Sequence, residues 1–214
     1  ATLSIDTAIP MPERRGNAVE GLLEGYRYIW RTPKIRGLLS VDIIPLMFGI
    51  SYFTLAPAIA RDVLGLSSSG LGVLLAANGI GHLIGTVVVA SQGSRRGRGR
   101  IVVTGVAAFA ILVILFALST NPVLSGALIL CIGFVSSLYG TMNDTLLQTN
   151  VDEAYRGRVM AVYSMFWGLT PIGSLEAGLL ANFVGVQKAL ALNGLIILVY
   201  APLLWKFSPV RRIP

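Results

Sequence analysis

The chain carries six long apolar blocks, each separated from the next by a short polar or glycine-rich stretch. They lie at residues 37–59, 71–90, 101–119, 123–147, 159–183 and 189–205. A helix needs about 20 apolar residues to cross a hydrocarbon core, and each block is close to that length. The blocks do not alternate apolar and polar residues, so barrel strands are not expected. The pattern therefore predicts six transmembrane helices, because a helix satisfies its own backbone in lipid.

One boundary between two blocks depends on turn chemistry rather than on charge. The stretch from Ile101 to Asn143 contains no charged residue and is interrupted by Asn121 and Pro122. An Asn-Pro pair favours a turn, and proline does not continue a helix. The long apolar stretch is therefore predicted to be a helical hairpin.

The segment before the first block predicts an amphipathic helix. Its apolar residues recur at helical spacing, at Leu22, Leu23, Tyr26, Ile29 and Trp30, while Glu20, Glu24, Arg27 and Arg31 occupy other faces. Pro33 should end this helix, because the residue before a proline disfavours helical geometry. Two placements fit the pattern: in the membrane interface, or packed on the bundle as a juxtamembrane helix. Residues 1–36 are predicted to be a cytoplasmic segment and residues 206–214 a cytoplasmic tail.

Composition agrees with a membrane protein. Charged residues make up 13% of the 214 residues, about half of the roughly 25% usual in soluble domains. The net charge is +7, which in a soluble protein would raise the question of nucleic-acid binding. Here the basic residues lie in short clusters between apolar blocks without interleaved aromatic residues, so a nucleic-acid partner is not expected. The single cysteine, Cys131, excludes an internal disulfide.

The basic residues predict an orientation. All but two of the 17 fall in the segments that six spans place on one side of the membrane: Arg14, Arg15, Arg27, Arg31, Lys34, Arg36, Arg95, Arg96, Arg98, Arg100, Arg156, Arg158, Lys206, Arg211 and Arg212. Only Arg61 and Lys188 fall on the other side. By the positive-inside rule, both termini are predicted to be cytoplasmic, in a multi-pass protein of the inner (plasma) membrane.

Two enzyme interpretations fail on the sequence. Gly79, Gly81 and Gly85 approach a dinucleotide fingerprint, but they lie in the middle of a predicted span, where small residues let helices approach closely. Six spans also bring to mind an intramembrane serine protease, yet the only histidine, His82, precedes Ser174 and no Gly-x-Ser-Gly motif occurs. No catalytic residue, cofactor or metal ligand is predicted.

Four stretches carry a family resemblance that covers nearly the whole chain. They are EGYRYIWRTP at 24–33, PAIARDVLG at 57–65, LQTNVDEAYRGRV at 147–159 and GLTPIGSLEAG at 168–178. In this order and between these spans, the chain resembles the C-terminal half of a major facilitator superfamily transporter, in the branch of enterobactin and macrolide exporters. The resemblance implies an all-α fold in which the six helices form one half of a twelve-helix bundle, with an N-terminal six-helix half missing from this chain.

The same resemblance implies a function. It points to secondary-active, proton-coupled efflux of a small molecule such as a drug or siderophore, by alternating access in the lipid bilayer. A non-transporting six-span scaffold or assembly subunit remains the alternative, because such a protein would share the apolar composition.

Polar residues inside the spans are the candidates for a substrate or proton pathway, since they are costly in lipid and usually face a bundle interior or a watery cavity. They are Asp42, Asn78, His82, Asn143, Asp144 and Glu176. Glu176 is the first candidate to carry a proton and Asp42 the second. Hydrogen bonding between helices is the alternative role for Asn78, His82 and Glu176.

Arginines in two predicted cytoplasmic loops form the last group of candidates. The loop GSRRGRGR at 93–100 contains Arg95, Arg96, Arg98 and Arg100, and the other loop contains Arg156 and Arg158. The first loop resembles a degenerate copy of the superfamily's cytoplasmic signature, but it lacks the aspartate of that signature. These arginines are predicted either to take part in gating or to fix topology and contact anionic lipid.

Overall fold

The computed structural model describes residues 18–91 and 97–213. Within these residues the chain is helical and contains no strand. The helices are α1 (Ala18–Arg31), α2 (Pro33–Ile44), α3 (Ser51–Ala58), α4 (Ser68–Ser91), α5 (Arg98–Leu118), α6 (Pro122–Asn150), α7 (Glu153–Trp167), α8 (Thr170–Val184) and α9 (Val186–Phe207). A 3₁₀ turn follows at Pro209–Arg212. The all-α membrane fold predicted from the sequence is confirmed.

Five helical stretches in the described part of the chain are long and apolar enough to cross a membrane. They are Pro33–Val63, Ser68–Ser91, Arg98–Leu118, Pro122–Asn150 and Val186–Lys206. The first consists of α2 and α3 joined by a π-helical turn at Pro45–Gly49 and extended by a second at Ile59–Val63. Pro45 begins the first π turn and Pro57 lies just before the second. Proline removes a backbone donor and displaces the carbonyl one turn earlier, which is a common cause of such irregularity.

The predicted span at 159–183 is divided between two helices. Helices α7 and α8 have 15 residues each, or about 22 Å, which is shorter than a hydrocarbon core of about 30 Å. They meet at Gly168 and Leu169, whose amides donate to the carbonyls of Met165 and Phe166, three residues back. Pro171 explains the break, because its ring is incompatible with a regular helix through Trp167. Six spans remain a prediction that requires α7 and α8 to cross the membrane together.

Glycines allow the central helices to pack closely. A Cβ at Gly81 of α4 would collide with the carbonyl oxygen of Leu130 in α6, and one at Gly133 of α6 would collide with the carbonyl oxygen of Asn78. Helix α6 also packs against α5, which in turn packs against α9. These contacts support the packing interpretation of the glycines rather than a dinucleotide site.

The predicted hairpin turn lies between α5 and α6. Helix α5 ends at Leu118 and α6 begins at Pro122. The side-chain oxygen of Asn121 accepts hydrogen bonds from the amides of Val123 at 2.9 Å and Leu124 at 3.1 Å. Asn121 therefore caps α6, with proline at the first helical position, where its missing amide costs no hydrogen bond.

Helix α1 packs on α7 and also leaves apolar residues exposed. Tyr28 stacks on Tyr155 with ring centroids 4.5 Å apart. Glu24 forms an ion pair with Arg158, with 2.9 Å between Glu24 Oε2 and Arg158 Nη1. On the outer face, Tyr26 and Trp30 are each 54% exposed. The helix thus combines both placements considered from the sequence: one face packs on the bundle, and the other presents aromatic residues suited to a membrane interface.

Candidate functional site

A polar cluster joins α2, α6 and α7 inside the bundle. The amide nitrogen of Asn143 donates to Asp42 Oδ2 at 2.6 Å and to the carbonyl of Leu38 at 3.1 Å. The side chain of Asn143 is fully buried, while Asp42 is half-buried. Asn143 therefore holds the Asp42 carboxyl against α6. Two candidates that lie 101 residues apart in the chain are thus in direct contact.

Tyr163 of α7 completes the polar cluster, which we define as Asp42, Asn143, Asp144 and Tyr163. Its hydroxyl oxygen lies 2.9 Å from Asp42 Oδ2 and 2.7 Å from Asp144 Oδ1. A tyrosine hydroxyl has one hydrogen and can donate to one carboxylate at a time. Both contacts are hydrogen bonds only when one of the two carboxyl groups is protonated and donates to the tyrosine oxygen. The geometry is therefore that of a site where two carboxyl groups and one hydroxyl share protons.

The polar cluster forms part of the wall of a cavity of about 200 Å³. Its lining is Asp42, Pro45, Leu46, Gly49, Ile50, Tyr52, His82, Phe109, Ser136, Tyr139, Gly140, Asp144, Tyr163 and Trp167. Aromatic and apolar side chains dominate, with a few polar groups, which is the usual chemistry of a small-molecule site. The volume is below the roughly 300 to 1,000 Å³ of most such sites.

Asn78 and His82 take different positions, although they lie one turn apart on α4. Asn78 is only 5% exposed, and its amide nitrogen donates to the carbonyl of Ile129 at 3.1 Å, with Tyr52 Oη at 3.5 Å. This is a hydrogen bond between helices. His82 is half-buried and lines the cavity, with its Nε2 atom 3.4 Å from Ser136 Oγ. Of the two residues, only His82 faces the cavity.

Glu176 lies outside the polar cluster. Its Oε2 atom accepts a hydrogen bond from Asn193 Nδ2 at 3.0 Å, which joins α8 to α9. It is not among the residues that line the cavity. The structure thus brings together Asp42, Asn143 and Asp144, places His82 across the same cavity, and separates Asn78 and Glu176 from them.

The predicted loop arginines are only partly described. Arg95 and Arg96 lie outside the described residues. Arg98 and Arg100 fall in the first turn of α5, and Arg156 is exposed on α7. Arg158 forms the ion pair with Glu24, and its guanidinium carbon lies 5.6 Å from the Tyr155 ring centroid. Arg158 thus connects α7 to α1, and a role in gating remains a prediction for all six arginines.

Sequence reasoning missed Tyr163 and Asn193. It selected ionisable and amide residues in the centre of apolar blocks, and Tyr163 looked like one more aromatic side chain. A buried tyrosine hydroxyl usually has a hydrogen-bond partner, so a tyrosine in a span that contains unpaired carboxylates was the available signal. For Asn193 the same logic applies, because an amide in the last apolar block needs a partner. No group of three or more metal-ligating side chains occurs among residues 18–91 and 97–213.

These observations define a multi-pass membrane protein whose long helices enclose a small cavity lined in part by Asp42, Asp144 and Tyr163 of the polar cluster. Such an arrangement is typical of membrane transporters. The sequence matches the Major Facilitator Superfamily over residues 41–214. The chain belongs to this superfamily, as the resemblance predicted.

Similar proteins are exporters and related transporters. The "Multidrug efflux pump Tap" of Mycolicibacterium fortuitum is 30% identical over 171 residues, which are 78% of this chain and 41% of that protein. The "Staphyloferrin A transporter" of Staphylococcus aureus is 26% identical over 75% of this chain and 40% of its own length. The "Enterobactin exporter EntS" of Escherichia coli O1:K1 / APEC is 25% identical over 76% of this chain and 38% of its own length.

Two conclusions follow from these relatives. They are named as an efflux pump, a transporter and an exporter, and none of the three is named as an enzyme, which agrees with the prediction of a non-enzymatic protein. The chain spans about two fifths of the length of these relatives. The scaffold alternative finds no counterpart among them.

Proposed function

We propose that this chain is the C-terminal half of a transporter that exports a small molecule, such as a drug or a siderophore, in exchange for protons. The observation that carries the proposal is the polar cluster of Asp42, Asn143, Asp144 and Tyr163 in the wall of the cavity. Two carboxyl groups in an apolar bundle are energetically costly, and such residues usually mark a substrate, ion or proton pathway. The relatives named as a multidrug pump and an enterobactin exporter support the substrate class.

The size of the cavity supports the half-transporter part of this proposal. Alternating access places the substrate between two helical halves that rock about it. A cavity of about 200 Å³ is small for a drug, but its lining could form one side of a larger binding site. A second six-helix half would supply the other wall, and the partial coverage of the relatives agrees with its presence in the intact protein.

Proton coupling follows from the shared protons of the cluster. When the cavity faces the more acidic side, Tyr163 donates to one carboxylate while the other carboxyl group takes up a proton and donates to the tyrosine oxygen. When the cavity faces the cytoplasm, that proton leaves, and one carboxylate loses its bond to Tyr163. The exposed carboxylate is then available to a cationic or hydrogen-bonding substrate. Proton and substrate would thus compete for one site, which is the requirement for exchange.

The orientation is part of the same proposal. The distribution of basic residues supports an inner-membrane protein with both termini on the cytoplasmic side. In that orientation the start of α7, with Tyr155 and Arg158, lies at the cytoplasmic surface.

The decisive experiment compares Asp42→Asn with Glu176→Gln in the intact transporter. The substrate is first identified by screening drugs and siderophores for export, and transport is then measured in inside-out vesicles with and without an imposed pH gradient. Asp42→Asn should reduce gradient-driven transport by about 100-fold or more, because a general proton-transfer group is worth about that factor. Substrate exchange without a gradient should persist in this variant.

Glu176→Gln is the matched control, because it also replaces one carboxyl group by an amide within a span. It should retain gradient-driven transport within a few-fold of the parent protein. Unchanged gradient-driven transport by Asp42→Asn, or its loss in Glu176→Gln alone, would show that the proton is carried elsewhere.

A further inference from the structure

A second and larger cavity lies at the opposite side of α2 from the polar cluster, where α1, α2, α9 and the 3₁₀ turn meet. Its volume is about 710 Å³. The lining is Trp30, Pro33, Arg36, Gly37, Ser40, Tyr200, Leu203, Leu204, Lys206, Ser208, Pro209 and Arg211. Nothing in the proposed transport cycle uses this cavity.

The charged side chains that line this cavity are all basic. They are Arg36, Lys206 and Arg211, and none of the described residues in the lining is acidic. Two of them are held in place by aromatic rings. The guanidinium carbon of Arg36 lies 5.4 Å from the Trp30 ring centroid, and that of Arg211 lies 5.8 Å from the Trp205 ring centroid. A cation over an aromatic ring keeps its N–H groups free at the edge, so both arginines can still bind an anion.

The remaining lining is apolar, and its hydroxyl groups are occupied. Leu203 and Pro33 supply apolar surface, and Leu203 is 49% exposed. Tyr200 donates to the Ser40 carbonyl at 2.6 Å, and Ser40 donates to the Gly37 carbonyl at 2.7 Å. The cavity therefore offers positive charge and apolar surface but few free hydroxyl groups. That combination suits a phosphate group attached to acyl chains better than it suits a sugar or a nucleotide.

The depth of the cavity agrees with this chemistry. Trp30 belongs to the exposed aromatic face of α1. Tryptophan is enriched at the level of lipid headgroups. The basic residues place this end of the bundle on the cytoplasmic side, where anionic lipids create a negative surface potential. Helix α2 begins here and α9 ends here, so a lipid headgroup between them would contact the first turns of α2 and the last turns of α9.

We propose that this cavity binds the headgroup phosphate of an anionic phospholipid, with Arg36 and Arg211 as its main contacts and an acyl chain along the exposed side chain of Leu203. The bound lipid joins α1 and α2 to α9 and to the turn at Pro209–Arg212. This site is independent of the polar cluster and of proton-coupled transport, and it rests only on the proposed cytoplasmic orientation of this end of the bundle.

The test uses the intact protein, reconstituted in phosphatidylcholine nanodiscs, and a phosphatidylglycerol with a photoactivatable diazirine near its headgroup. After illumination, mass spectrometry measures the label on peptides that contain Trp30 or Leu203, while unlabelled lipids compete. Unlabelled phosphatidylglycerol should reduce the label at much lower mole fraction than unlabelled phosphatidylcholine. The double variant Arg36→Gln/Arg211→Gln should need about 30-fold more competitor for half-displacement, since each basic residue near an anionic lipid contributes about fivefold.

Two further variants separate a site from general surface charge. Arg100→Gln/Arg156→Gln removes two arginines from the same predicted side but outside the cavity, and it should keep the parent preference. Arg36→Lys/Arg211→Lys retains the charge and should also keep most of it, which shows that the glutamine variant did not simply misfold. Equal competition by phosphatidylcholine, or an equal loss in the Arg100/Arg156 variant, would overturn the proposal. Displacement of the label by millimolar inorganic phosphate would indicate a site for a soluble anion instead.

Discussion

The two buried carboxyl sites of the bundle differ in how many helices and how many partners they engage. Asp42 meets Asn143 from α6 and Tyr163 from α7, and through Tyr163 it is connected to Asp144. Glu176 meets Asn193 of α9 and does not line the cavity. A carboxyl group with one amide partner is sufficiently explained by helix packing. A carboxyl group that competes with another for a single hydroxyl hydrogen has a reason to change its protonation.

The contacts of the two carboxyl groups add information that their depth in the apolar blocks does not supply. Glu176 and Asp42 both lie in apolar blocks, and the sequence favoured Glu176. The partners favour Asp42 in our proposal, because a proton-binding site needs an alternative donor or acceptor within reach in each protonation state. Only the Asp42 site provides one.

Replacement of Asn143 should give the largest difference between the two sites. Asn143→Leu removes the hydrogen bonds that the amide donates to the Asp42 carboxyl group and to the Leu38 carbonyl. Tyr163 then remains as the described side-chain partner of Asp42. We expect a loss of about 2 to 4 kcal/mol in the free energy of unfolding, since each unsatisfied buried group costs about 1 to 3 kcal/mol. Unfolding of the purified protein in a detergent and denaturant titration measures it.

Asn193→Leu is the matched variant for the other site. It removes the single donor to Glu176, which is half-buried and can recruit water, so about 1 kcal/mol is expected. Equal losses in the two variants would contradict the distinction between the sites.

Tyr163→Phe should have an intermediate effect, and on function rather than on stability. The ring and its contact with Phe166 remain, but the hydroxyl that bridges Asp42 and Asp144 is removed. Gradient-driven transport should fall about tenfold, which corresponds to one hydrogen bond of about 1.4 kcal/mol, while substrate binding changes less than about twofold. Transport rates in vesicles and equilibrium binding together measure this separation.

Tyr155→Phe is the control on the same helix, because its described contacts are the stack on Tyr28 and the nearby Arg158 guanidinium, and both use the ring. Its transport should equal that of the parent protein. An equal loss of gradient-driven transport in both tyrosine variants would mean that α7 tolerates no substitution. The role of the Tyr163 hydroxyl between Asp42 and Asp144 would then be unsupported.

The smallest effect is expected at the edge of the polar cluster. His82 lines the same cavity, but its one described side-chain contact, to Ser136, is long at 3.4 Å. His82→Gln should therefore change gradient-driven transport by less than about threefold, because a long hydrogen bond contributes little. A loss as large as that of Asp42→Asn, measured in the same vesicles, would extend the proton-sharing site to α4.

The sequence was sufficient for the fold class and for three of the four residues of the polar cluster. Blocks of about 20 apolar residues leave helices as the only economical backbone in lipid, and polar residues inside them are few enough to select Asp42, Asn143 and Asp144. The contact between Asp42 and Asn143 depends on how α2 and α6 cross, and no local pattern records a crossing. Tyr163 was missed because its contacts with the two carboxyl groups depend on the packing of α7 against α2 and α6.

The division of the predicted fifth span has a different cause. The apolar block continues through Gly168 and Leu169, so hydropathy alone merges α7 and α8. Pro171 is the local signal for the break, since a proline disrupts the preceding turn. The π turns near Pro45 and Pro57 follow the same rule. Pro45, Pro57 and Pro171 thus mark irregularities that hydropathy alone does not predict, whereas α9 continues through Pro202.

Helix α7 has contacts at two levels of the protein. Near its start Tyr155 stacks on Tyr28 of α1, and eight residues further on Tyr163 reaches the two carboxyl groups. These tyrosines are about 12 Å apart along one uninterrupted helix. A hydrogen-bonded helix barely changes its length. A displacement of Tyr163 along the axis of α7 would therefore move Tyr155 by nearly the same distance. A change in the tilt of α1 would then follow a change in the protonation of the polar cluster, and a distance probe on α1 would detect it.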